Sequence, residues 1–411
     1  MEAIIECCAG LDVHQATVVV CVNKGGPANK RSGKQVRTFS TTRHGLGEMR
    51  DWLSGCGCTL VAMESTGIYW RPVYAELEGH FELIVGNAQH IKNVPGRKTD
   101  VKDCEWISDL ARHGLIAKSF VPPRPIRELR DLTRYRRKLS QAQAAERNRL
   151  LKLLESANIK LSGTVSDVFG VSGRAMLNAL IEGEETPAEM ARHARGRMKR
   201  KRDRLVLALD GVITEHHRFV LRLQFERIKA AEADLERLDE QLRGKLAPYA
   251  EVLERLMRIP GVDWVIAATI IAEIGVDMSA FISADHLASW TGICPGNHES
   301  AGKQRSGKIR KGNVYLKTAL VTAAMNAVKK RGTYLAQKHR RLLARRGTMR
   351  AQVAIAHKIL VAVYHMLANG SEYQDLGPTY LDRIDQRRTA DQLARRIRDL
   401  GYDVEITPKA A

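Results

Sequence analysis

Four carboxylates near the N-terminus are spaced as a metal-dependent nuclease would need them. Asp12 ends the apolar run of GLDVH, Glu64 ends that of LVAMES, and Asp100 and Asp103 sit three apart in KTDVKD. Oxygen ligands of this kind hold hard divalent cations, which activate an attacking oxygen and stabilise a leaving one. Four converging carboxylates repel one another, so such a cluster favours a bound divalent ion, expected to be Mg2+. Taken singly, each acid reads more simply as a surface charge at a strand or helix end, where the helix dipole alone would favour Asp100. Gly10 and Gly67 are expected to allow close backbone approach, and Lys98 and Lys102 suit nearby phosphates.

A second candidate centre is the segment TGICPGNHESAGKQRSGKIRKGNVYLK. Ser300 and Ser306 stand there among Lys303, Arg305, Lys308 and Arg310, with His298 two residues before Ser300. A serine held near phosphate by cations and a metal can become a nucleophile. The plainer alternative is a basic phosphate-binding loop whose serine only hydrogen-bonds. Upstream, LMRIPGVDW resembles a helix-hairpin-helix. Gly261 is expected at positive φ in its turn, with backbone amides of the following helix facing a DNA phosphate. Asp263 takes a place often held by glycine, and a plain turn between helices is the alternative.

The acids need a scaffold to bring them together. Ile4 to Leu11 and Ala16 to Asn23 are apolar runs and Gln35 to Thr42 alternates polar residues, which reads as three consecutive strands. A helix over Gly45 to Leu53, a short buried strand over Leu60 to Glu64 and a helix over Ile68 to Leu77 follow. A strand over Phe81 to Gly86 and a helix over Asp100 to Gly114 complete the series. This order matches the RNase H-like fold, in which the ends of the first and fourth strands are neighbours and a later helix packs across them. Asp100 and Asp103, at i and i+3, would share one face of that helix.

From Pro122 the pattern turns helical. Ile126, Leu129 and Leu132 open a stripe that runs to about Leu154, and Leu161 to Arg192 is helical but broken by glycines. Arg195 to Arg204 (RGRMKRKRDR) is strongly basic, with Arg200, Lys201 and Arg202 at its centre. The alternative to a nucleic-acid contact there is a solvated charged loop. Leu221, Ile228, Leu235 and Leu242 recur every seven residues, with Ala231 and Leu238 on the second seam, which predicts a coiled coil or a long packed helical hairpin, the alternative being an amphipathic helix in a bundle. Further helices are expected at Glu251 to Arg258, Val262 to Glu273, His286 to Trp290, Tyr315 to Lys330 and Met349 to Leu367. The expected organisation is α/β plus all-α: a RuvC-like domain over 1–120, a helical coiled-coil region over 121–250, a domain carrying the hairpin and the serine over 251–370, and a charged tail over 371–411.

Bulk composition sets the partner class. The 411 residues carry 66 Lys and Arg against 46 Asp and Glu, a net charge of +20. An excess of that size favours a polyanion, because each neutralised phosphate releases counterions. No signal peptide is evident and no apolar run reaches the roughly 18 residues of a spanning helix, so a cytoplasmic nucleic-acid binder without a membrane partner is expected. The 7 cysteines are scattered, with no zinc-site spacing, and fit a reduced compartment.

GLDVH, AMESTG, GRKTDVKD, RIPGV and CPGNHESAGKQRSGKIRKGN, in that order, resemble the DEDD transposases of insertion sequences, also called bridge recombinases. The resemblance runs from about Glu6 to about Leu367. It implies a RuvC-like domain whose Asp, Glu, Asp, Asp are Asp12, Glu64, Asp100 and Asp103. It also implies a C-terminal transposase domain with a nucleophilic serine, usually within a Ser-Ser-Gly-Gly-Lys run. Here the run reads Glu299-Ser300-Ala301-Gly302-Lys303, so that role maps to Ser300. The resemblance further implies donor and target DNA, an element-encoded noncoding guide RNA, and a tetramer built from dimers whose sites combine acids of one protomer with the serine of another. Two rival readings stand beside it: a RuvC-like nuclease using water, and an architectural nucleic-acid binder with a decayed site.

Overall fold

The computed structural model describes residues 4–25, 33–93, 103–295, 298–300, 303–306, 308–384 and 386–407. The chain divides into two compact units, Met1–Val121 and Pro122–Ala411.

The first unit is built on a sheet of β1 (Cys7–Val13), β2 (Thr17–Lys24), β3 (Gly33–Ser40), β4 (Leu60–Glu64) and β5 (Glu82–Gly86), in the order β3-β2-β1-β4-β5. β1, β2 and β3 pair antiparallel, while β4 and β5 run parallel to β1. The helices are α1 (Arg43–Gly55), α2 (Trp70–Leu77), α3 (Ala88–Asn93) and α4 (Asp103–Arg112). Side chains alternate across a strand, so each face gathers every second residue. Ala9, Leu11, Val13, Val61 and Met63 pack with Met49 and Leu53 of α1 and Val73 and Leu77 of α2. Cys8, Leu60 and Ala62 pack on the other face with Ile107, Leu110 and Ala111 of α4. Covered on both sides, β1 is apolar almost throughout, whereas β3 is a largely exposed edge strand carrying Lys34 and Arg37. This sheet order agrees with the RuvC-like expectation.

The second unit is helical: α5 (Arg124–Ser156), α6 (Leu161–Thr164), α7 (Val171–Glu182), α8 (Pro187–Met190), α9 (Arg202–Leu209) and α10 (Glu215–Leu246), then α11 (Ala250–Met257), α12 (Trp264–Ile274) and α13 (Ala284–Thr291). A two-stranded hairpin of β6 (His298–Ser300) and β7 (Lys303–Ser306) precedes α14 (Val314–Ala327), α15 (Tyr334–Arg346), α16 (Thr348–Asn369), α17 (Tyr380–Ile384) and α18 (Gln386–Asp399). The heptad helix α10 lies along α5 of the same chain. Glu128 pairs with Lys245 at 2.7 Å, Arg136 with Asp239 at 2.5 Å and Arg147 with Glu232 at 2.7 Å. Partner numbers fall as α5 numbers rise, so the helices are antiparallel. Leu221, Ile228 and Leu242 are buried and Leu235, Ala231 and Leu238 are half-buried. α10 therefore packs along a helix distant in the chain, with α6 to α9 between them in sequence, and not as one limb of a helical hairpin.

Several expectations change. α3, α9, α15, α17 and α18 are not foreseen in the sequence, nor is any strand in the serine segment. A helix long and apolar enough to cross a membrane does exist, α16. Its Ala351, Ile355, Ile359, Leu360 and Val363 are buried, and it packs against α13, α14 and α15.

Candidate active site

Strand register brings the first two acids together. β1 and β4 are parallel, with Gly10 beside Ala62 and Leu11 beside Met63. One step further along both strands stand Asp12 and Glu64, the last residue of β4. Both lie on the face that carries Cys8, Gly10 and Ala62, which is the face covered by α4. Gly10 is what lets α4 come down so closely: a methyl group there would collide with the Cys104 carbonyl oxygen and the Ser108 amide nitrogen. Asp103, the first residue of α4, is thereby delivered to the same sheet edge and stays exposed.

The electrostatics agree with this proximity. Burial raises the Asp12 pKa above the usual 3.8. His14, whose Nε2 lies 3.1 Å from the Asp12 carboxylate, opposes that shift, and the charges of Asp103 and Glu64 reinforce it. Glu64 accepts a hydrogen bond from the Thr66 hydroxyl at 2.8 Å. A carboxylate that feels two neighbouring carboxylates belongs to a donor set suited to a divalent ion. Among the described residues no three of His, Cys, Asp or Glu already surround one ion position. Asp100, with Lys98 and Lys102, lies outside the described residues. Gly67 serves differently from Gly10: it holds φ +57° in the turn after β4, and a methyl group there would stand 3.7 Å from the Tyr69 ring, in ordinary contact.

The serine segment forms an arm. Ser300 pairs in register with Lys303 at the end of the β6–β7 hairpin, and His298 pairs with Ser306. The side chains of His298, Ser300, Lys303, Arg305 and Ser306 lie outside what is described. Lys308 and Arg310, on the returning limb, are exposed.

A family model of DEDD transposases of the IS110 type, described as "Transposase", matches residues 9–159, and a second, "Transposase IS116/IS110/IS902 family", matches 253–341. Together they cover more than half of the chain. A "Probable family 20 transposase" of Pseudomonas aeruginosa is 27% identical over 336 residues, 80% of this chain and 89% of that protein. The "Transposase for insertion sequence element IS1111A" of Coxiella burnetii is 24% identical over 332 residues, 77% and 79% of the two chains. This chain belongs to the DEDD transposases of insertion sequences. It is thus an enzyme acting on DNA, and its DEDD domain points to dependence on a divalent metal.

Other sequence candidates stand differently in the transposase. α11 and α12 flank a tight turn with Gly261 at φ +88°, as expected. Yet Gly261 is pressed against Ala323 and Ala327 of α14, where a methyl group would strike backbone. Asp263 accepts a hydrogen bond from the Ile266 amide at 2.9 Å and caps α12. Its carboxylate occupies the helix N-terminus that a phosphate would need. The glycine is thus explained by packing and the aspartate by capping. Arg200, Lys201 and Arg202 are exposed, with Lys201 Nζ also reaching the Thr164 carbonyl at 3.0 Å.

Two features escaped the sequence reading. His14 was quoted within GLDVH without a role, although a histidine two residues past a strand-end aspartate is within reach of it. In sequence Glu273 stands only as the end of an expected helix. It is fully buried and bound by Arg134 through two hydrogen bonds of 2.7 and 2.8 Å.

Proposed function

We propose that this transposase cuts and rejoins DNA strands through a phosphoserine at Ser300, with Asp12, Glu64, Asp100 and Asp103 holding Mg2+. The observation that carries the reading is the meeting of Asp12 and Glu64 at adjacent parallel strand ends, with Asp103 brought to them by α4. When bound, the ion supplies charge stabilisation at the reacting oxygens. The Ser300 hydroxyl gives up its proton and attacks phosphorus, a P–Oγ bond forms, and the bond to the leaving sugar oxygen breaks as that oxygen takes up a proton and departs as a hydroxyl. One phosphodiester replaces another, so the reverse attack by a new strand end needs no ATP. Cations around Ser300, from Lys303 and Arg305 to Lys308 and Arg310, would hold the phosphate. Lys98, Lys102 and the basic run at Arg200, Lys201 and Arg202 would neutralise nucleic-acid backbone, whereas Gly261 serves packing first.

The reading extends to partners. A net charge of +20 with no compact base-reading module suits a protein that grips backbone while a noncoding RNA selects donor and target sequences by pairing. Acids of one protomer would serve the serine of another in a tetramer, with the helical middle binding RNA and joining protomers.

The test is covalent trapping. Denatured, nuclease-digested reactions analysed by mass spectrometry should carry a nucleotide on Ser300. Ser300→Ala should bind DNA and trap nothing, while Ser306→Ala should still trap an adduct. An adduct on Ser306, or strand exchange by Ser300→Ala, would overturn the assignment. Clean hydrolysis with no adduct would instead favour a nuclease that uses water.

A further inference from the structure

The hairpin that carries Ser300 is rooted in a buried ionic cluster. Its two limbs are pressed together at the base. A methyl group on Gly292 would lie 2.8 Å from the Arg310 carbonyl oxygen and 2.9 Å from the Gly312 nitrogen, and one on Gly312 would strike the Thr291 carbonyl oxygen. Further out, Pro295 bridges to Ile309, and β6 pairs with β7. The returning limb ends at Asn313, whose side chain does two things. Its Oδ1 accepts hydrogen bonds from the Tyr315 and Leu316 amides at 3.0 and 3.1 Å and caps α14. Its Nδ2 donates to Glu273 Oε2 at 2.6 Å.

Glu273 sits in the apolar helix α12, fully buried. Beyond Asn313 it takes the two hydrogen bonds from Arg134 of α5 and an ion pair with Arg130 at 3.4 Å. Arg130 also donates to the Glu273 carbonyl at 2.6 Å, and the Arg134 guanidinium lies over the Tyr315 ring, 4.4 Å from its centre. A buried ion cluster is a poor way to gain stability, since well-packed apolar residues often do as well or better. What it supplies is direction: a planar guanidinium fork and a carboxylate lock in one orientation. Here that orientation is passed to one side chain, at the foot of the serine arm.

We infer that Glu273, acting through Asn313, is a positioning residue for strand transfer: it fixes the root of the hairpin and so the place where Ser300 meets the phosphate. This rests on Ser300 being the nucleophile. Misplacing a reacting atom by about 1 Å costs on the order of a hundredfold in rate. Loosening the root should therefore lower turnover without lowering DNA affinity.

Asn313→Ser keeps a capping oxygen for α14 but lacks the amide donor to Glu273. With the full-length protein on saturating DNA, adduct formation should slow by roughly ten- to a hundredfold. The DNA half-saturation concentration and the thermal midpoint should stay near wild type. Asn313→Asp sets two carboxylates against each other and should be slow as well. Wild-type turnover in Asn313→Ser overturns the inference. So does a thermal midpoint that falls in step with the rate. If the wild-type enzyme cleaves without any adduct, the Ser300 reading fails and this inference falls with it. An adduct formed equally fast by wild type and Asn313→Ser removes this inference alone.

Discussion

Asp12 is held at the sheet edge by opposing influences. Burial and the nearby Asp103 and Glu64 favour its protonated form, while His14 at 3.1 Å favours the charged one. A bound divalent cation shifts that balance toward the carboxylate, because it offsets the repulsion directly. On the proposed mechanism, removing one anchor weakens the site where charge develops during the reaction. Asp12→Ala or Glu64→Ala should reduce cleavage of labelled DNA on the order of a thousandfold or more, several kcal/mol of transition-state stabilisation. Gel-shift affinity should be retained, since neither side chain is a phosphate ligand. Near-normal cleavage by either variant would remove the acids from the mechanism.

At the scale of elements, the site depends on how closely α4 approaches β1. That approach exists because position 10 has no side chain, and the contact is made by backbone atoms of Cys104, Ile107 and Ser108. Backbone in a helix cannot step aside as a flexible side chain can. Gly10→Ala should therefore lift the start of α4 and carry Asp103 away from Asp12. Overpacking of this sort costs about 1–3 kcal/mol, which a thermal melt would register. Cleavage should fall further than that loss of stability accounts for, when assayed well below the melting transition. An unchanged cleavage rate would mean that Asp103 does not need this placement.

For the molecule as a whole, charge decides the partner before any detail does. The excess of basic residues makes association with nucleic acid salt-dependent, with a slope set by the number of phosphates neutralised. Arg200, Lys201 and Arg202, exposed where the chain enters α9, would make three such contacts on the proposed reading. Neutralising all three should weaken binding to every sequence and flatten the logarithmic salt slope by about 2–3 for duplex DNA. Titrations at several salt concentrations measure this directly. A slope equal to that of wild type would return the segment to an ordinary solvated surface.

The sequence alone determined those features that follow from local pattern. Apolar runs ending in Asp12 and Glu64 marked β1 and β4, because a strand covered on both faces must be apolar until it reaches the sheet edge. The seven-residue repeat marked α10, because one face of a helix has to be buried. α15 was missed because its arginines and lysines hide a sparse buried stripe of Leu335, Ala336 and His339, although Thr333 and Gly347 bound it clearly. Tertiary structure decided whatever depends on a partner distant in the chain. It gave Gly10 to the approach of α4 and Gly261 to the approach of α14, where the sequence shows two similar glycines. It joined α10 to α5, a choice the heptad left open, because a repeat specifies a buried face and not what buries it. It also made Glu273 the centre of a cluster with Arg130, Arg134 and Asn313. A lone acid in an apolar run shows only that burying its charge requires partners, and the fold alone supplies them.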